Sequence, residues 1–130
     1  MNEILIPISP GELLDKITIL QIKSERISDA IKVANVRTEL AMLEQVWSDT
    51  VEDDEQIRAL SSELKSINEA LWEIEDDVRD EERNKRFGDR FIELARAVYV
   101  TNDERANAKK KVNLHLNSSI VEEKSYQDYK

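Results

Sequence analysis

From Ile57 to Val78 the apolar residues fall three and four apart: Ile57, Leu60, Leu64, Ile67, Leu71, Ile74 and Val78. At about 100° per residue this spacing gathers them into one seam, roughly three heptads long, which buries itself against an antiparallel neighbour. A chain carrying such a seam is committed to helix-on-helix packing. The remainder agrees, because two glycines and two prolines in 130 residues leave few turns for an all-β or doubly wound fold. The expectation is an all-α bundle of three to four long helices in hairpins, one domain with a short extended amino-terminal arm and a carboxy-terminal tail.

Residues 1–8 form the arm. Ile4, Ile6 and Ile8 alternate as in a strand, although Pro7 cannot donate to a ladder. A lone strand needs a partner, either the stretch around Ile120-Val121 or a second copy of the chain. Ser9-Pro10-Gly11-Glu12 is a helix start, with Ser9 as cap, Pro10 first in the helix and Glu12 closing a capping box. The segment 9–47 reads as one helix or a bent pair, with continuity preferred over a break after Ser28-Asp29. Leu13, Ile17, Leu20, Ser24, Ile27 and Ile31 share a face, while Ile19 and Ile22 lie roughly opposite. Such a helix must be covered on both sides, in the centre of the bundle or against another subunit. Val33, Val36, Leu40, Leu43 and Trp47 continue the pattern, and 48–54 reads as a loop. A helix over 54–86 follows, with Gly88 at its terminating turn, then a helix over 89–117 and a tail over 118–130.

The charge balance bounds the partners. With 28 acidic against 19 basic residues the net charge is −9, which repels nucleic-acid backbones and anionic membrane surfaces. No apolar run approaches the ~20 residues that span a bilayer, and the amino terminus lacks a basic-then-apolar leader pattern. A cytoplasmic setting is expected. Without cysteine and with His115 as its one histidine, the chain has neither thiolate chemistry nor the imidazoles of a typical zinc or iron centre. No metal and no cofactor is expected.

Three polar groupings compete for a functional role. The acids Glu69, Glu73, Asp76 and Asp80 resemble a hard-cation set, yet the helical wheel turns them away from the seam, where a solvated face belongs. Four-residue pairs, Glu75–Arg79, Glu81–Lys85 and Glu82–Arg86, fit that reading. On the seam's shoulder lie Asn68, Trp72, Glu75 and Arg79, a cleft wall or an ordinary core edge. In the last helix, Asn102, Arg105 and Lys109 share the face of Phe91, Leu94, Val98, Val112 and Leu116. Cations in an apolar stripe need acids or an anionic ligand. Three readings follow: a kink near 101, where Thr101-Asn102-Asp103-Glu104 resembles a second capping box, an internal ion-pair network, or a site for a phosphate or carboxylate. The candidate acids are Glu25, Glu75 and Asp103; the candidate site comprises Asn102, Arg105, Lys109, Trp72, Glu75 and Tyr99.

Ser9 to Leu20, Asn68 to Asp76, Phe91 to Arg105 and the tail Val121-Glu122-Glu123-Lys124-Ser125-Tyr126 together resemble a family of small uncharacterised bacterial and phage proteins, a domain of unknown function. The resemblance implies one helical domain and brings no reaction, cofactor or catalytic residue.

Two functional expectations stand side by side. One is a non-enzymatic interaction or assembly module, homodimeric and open to a protein partner. The other is a binding protein or enzyme for a small anionic, phosphate- or carboxylate-bearing ligand such as a nucleotide.

Overall fold

The computed structural model describes all 130 residues and contains four helices and no strand: α1 (Pro10–Arg26), α2 (Ala30–Thr50), α3 (Glu55–Arg83) and α4 (Asp89–His115). α1 begins as its sequence dictates, the Ser9 hydroxyl accepting the Glu12 N–H at 3.2 Å with Pro10 at the first position. The reciprocal half of the capping box is not made. Glu12 turns instead to the Lys109 ammonium on α4, 2.7 Å away, because a charged donor outcompetes a neutral backbone one.

The preferred continuity of residues 9–47 gives way to a helix pair. Ile27 and Asp29 are extended, and the Asp29 carboxylate caps α2 by accepting the Lys32 N–H at 3.0 Å. α2 then runs to Thr50, through part of the stretch read as loop, with Gln45 donating to Asp49 across its last turn. Asp54 caps α3 in the same way, accepting the Ile57 N–H at 2.7 Å. Both α3 and α4 close with paired reverse hydrogen bonds. Arg86 N–H reaches the Glu81 carbonyl and Lys85 N–H the Glu82 carbonyl; Ser118 and Asn117 do the same to Asn113 and Leu114. The left-handed residues are Lys85 (φ 57°) and Asn117 (φ 54°). Gly88 therefore does not end α3, as its composition suggested; it precedes α4 as the N-cap.

Contacts fix the directions. Asp15 meets Asn68 and Arg26 meets Glu73, so α1 runs parallel to α3; Gly11 meets Asn113 and Asp15 meets Arg105, so it runs antiparallel to α4. α1 touches all three other helices, whereas the α2 backbone approaches α1 alone. The core is Leu14, Ile57, Leu60, Leu64, Ala108 and Val112, with Trp47, Ile67 and Leu116 packed against it. The two-faced character of α1 is thus used inside one chain: Leu13, Leu14, Ile17, Leu20 and Ile22 are all buried. α2 buries no residue fully, and its stripe of Val33, Val36, Leu40, Leu43 and Trp47 is only half covered.

Two further expectations are corrected. The arm forms no strand: Ile4, Leu5 and Ile6 are 74%, 87% and 69% exposed, and the tail turns to α4 rather than pairing with them. Pro7 and the absence of a second edge leave that segment no ladder to join. α4 is uninterrupted through 98–112, so the kink at 101 does not occur; Thr101 is buried within the helix.

The first turn of α1 lies directly on α4. Gly11 N–H donates to the Asn113 side-chain oxygen at 2.7 Å, and a Cβ there would stand 2.4 Å from the Lys109 carbonyl oxygen. Gly11→Ala is expected to cost about 2–3 kcal/mol, since a helix backbone must move to admit the methyl. Urea denaturation measures it; an unchanged midpoint would refute the close approach.

Candidate functional site

The polar centre of the molecule joins α1, α3 and α4. Asp15, 1% exposed, sits on the second face of α1 with Thr18 and Ile22. Arg105 meets it with a two-pronged grip, Nε to Oδ1 at 2.9 Å and Nη2 to Oδ2 at 2.5 Å. The Asn68 amide donates to Asp15 Oδ1 and to the Thr18 hydroxyl, each at 3.0 Å, while Thr18 donates to the Asp15 carbonyl at 2.9 Å. Asn102 accepts a long contact, 3.5 Å, from Arg105 Nη1. No fully buried side-chain nitrogen or oxygen lacks a partner, so the layer is saturated.

Burial alone would push the Asp15 carboxyl upward. Hydrogen bonds from Arg105 and Asn68, with the charges of Arg105 and Lys109, outweigh it and hold the group below its ordinary value. Arg105 is raised in turn, chiefly by its hydrogen bonds to Asp15. Lys109 lies one turn further along α4, between Glu12 at 2.7 Å and Glu122 of the tail at 3.2 Å. Burial works against its charge, but these two carboxylates raise it overall.

The six residues singled out from the sequence are therefore only partly brought together. Asn102, Arg105 and Lys109 do project inward. Glu75 instead pairs with Arg79 on the surface, as its four-residue spacing suggests. Trp72 is half-buried one turn beyond Asn68, and Tyr99 meets the tail edge-to-face with Tyr129, ring centres 5.1 Å apart. The acids thought available to Arg105 are engaged elsewhere: Glu25 by Lys65 at 2.6 Å, Asp103 by the Tyr129 hydroxyl at 2.7 Å. Asp15 and Glu12 are the partners the sequence reading missed. The signal lay in α1 itself, where Asp15 and Thr18 stand seven and four residues before Ile22, on the face that must be covered.

The acidic stretch of α3 is a solvated, ion-paired face. Glu73 bonds Arg26 at 3.4 Å, Asp80 bonds Arg83 at 2.6 Å, and Arg86 takes Glu81 at 2.6 Å rather than Glu82, since the helix has already ended at Arg83. Nowhere do three carboxylate or imidazole groups converge as a metal site would require. His115 Nε2 lies 2.9 Å from Asp54, tying the end of α4 to the start of α3.

The tail folds back along α4. Besides Glu122 on Lys109, Glu123 lies 3.6 Å from Lys110, and Tyr129 reaches Asp103; that bond pushes the Tyr129 phenol up to about 12. Between tail and helix lies an open cleft of about 610 Å³.

An all-α protein, with three helices around a charged layer and a fourth laid on the central one, is the class this architecture defines. The chain matches a family of unknown function (DUF6165) over residues 4–129 and belongs to it. No curated protein matches, and no solved structure does either. No helix is long and apolar enough to cross a membrane.

Two outcomes test the charged layer. Arg105→Leu strands a buried carboxylate and is expected to cost about 3–5 kcal/mol, whereas adding Asp15→Leu to it recovers part of that loss. The Asp15 carboxyl is depressed on folding, so its stabilisation is complete above its unfolded value near 3.8 and is lost as pH falls through the folded one. Asp15→Asn should therefore flatten the acid limb of a stability–pH curve; an unaltered limb would disprove the linkage.

Proposed function

We propose that this protein is a non-enzymatic interaction and assembly module of the cytoplasm that self-associates as a homodimer. The observation that carries this reading is that two apolar elements find no adequate cover within one chain. The arm exposes Ile4, Leu5 and Ile6, and α2 exposes Ile31, Met42 and Val46 beside its half-covered stripe. α1 no longer argues for a second subunit, since its own bundle covers both its faces. The arm and α2 do. A second copy supplies both elements at once, and two-fold pairing satisfies each twice. Isolated apolar residues on a surface are ordinary; an extended apolar segment together with a helix that has no fully buried residue calls for a cover.

The alternative, a small anionic ligand held by Asn102, Arg105 and Lys109, asks more of the chemistry. An incoming phosphate or carboxylate must displace Asp15 from Arg105, or Glu12 and Glu122 from Lys109. Ejecting Asp15 leaves a buried carboxylate without its cation. The cations are occupied, and this favours the assembly reading.

Sedimentation equilibrium should show a concentration-dependent dimer. Ile4→Asp/Ile6→Asp should weaken it at least tenfold with helicity unchanged. Because each copy carries −9, raising salt should strengthen association. A compact monomer at high concentration would remove the proposal. A thermal-shift screen of phosphates, nucleotides and carboxylates separates the two readings: stabilisation that disappears in Arg105→Ala would favour the anion site, and a flat screen is expected.

A further inference from the structure

All three tyrosines of the chain, Tyr99, Tyr126 and Tyr129, line the cleft between the tail and α4. Coincidence of this kind is informative in a chain so poor in aromatics. At about 610 Å³ the space falls within the range of small-ligand sites. Its charges are mixed: Asp103 and Asp128 are offset by Lys124 and Lys130. The aromatic character of the lining breaks the tie. A ring presents negative charge on its face, and several rings around one space hold a cation far better than an anion. The chain already uses this, for the Lys124 ammonium stands 5.8 Å from the centre of the Tyr126 ring. Tyr129 is fixed by its bond to Asp103 and its edge contact with Tyr99, so two of the three lining tyrosines are held in place without a ligand.

We propose that this tail–α4 cleft binds a small organic ammonium, with Tyr99, Tyr126 and Tyr129 as aromatic walls and Asp103 and Asp128 as counter-charges. The ligand enters between the rings and takes the place on Tyr126 held by Lys124. The tail then acts as a strap closed over the ligand, and the net charge of −9 raises the local concentration of cations around it. The site shares no residue with the arm or α2, so it stands or falls apart from the dimer.

The test is titration of the full-length protein with tetramethylammonium chloride, followed by the NMR signals of the three tyrosine rings, with sodium chloride at matched ionic strength as control. Saturable shifts confined to these rings are expected. Tyr126 is largely exposed, so substitutions there leave the fold intact. Tyr126→Phe should retain binding and Tyr126→Leu should weaken it at least fivefold. Lys124→Met should strengthen it two- to fivefold by removing the resident competitor. Absence of saturable shifts at tens of millimolar would overturn the proposal, as would equal binding by Tyr126→Leu. Ring shifts produced by phosphate and lost in Lys124→Met would overturn it too, by showing an anion site.

Discussion

The pair formed by Asp15 and Arg105 governs how the three inner helices can sit. A carboxylate with almost no exposure cannot remain charged unless its oxygens are filled, and Arg105 and Asn68 fill them from two different helices. Sliding α1 by one residue would separate the carboxylate from both. An apolar seam such as that of α3 tolerates repacking, whereas a two-pronged ion pair has one register. The charged layer thus does for helix alignment what the Leu64 and Val112 layer does for cohesion.

The same constraint explains the neighbouring polar contacts. With Asp15 opposite Arg105, the first turn of α1 is drawn onto the last turns of α4. Gly11 is then the residue that fits, Asn113 caps the approach, and Glu12 falls beside Lys109. Glu122 completes that second ion pair from the tail, so the folded-back tail extends the network outward rather than forming a separate unit.

Much of the architecture was legible in the sequence, because heptad spacing and capping residues act locally. The α3 seam, the Ser9 start and the inward turn of Arg105 and Lys109 all follow from periodicity. What periodicity could not supply was the identity of partners. Asp15 looked like one acid among 28, and only the approach of α4 singles it out. The break at residues 27–29 was hidden because Ile27 and Ile31 keep the helical rhythm across it, while the decisive cap at Asp29 is a single side chain. Gly88 misled for the converse reason: Lys85 accepts the left-handed position that composition assigns to glycine.

The attachment of α2 has its own consequence. A helix of 21 residues held along one edge, with Trp47 packed against the core, is the piece of the molecule with the least buried attachment to the rest. Native-state opening should therefore be stepwise, with the amides of Ala30–Thr50 exchanging with solvent far sooner than those around Leu64 and Val112.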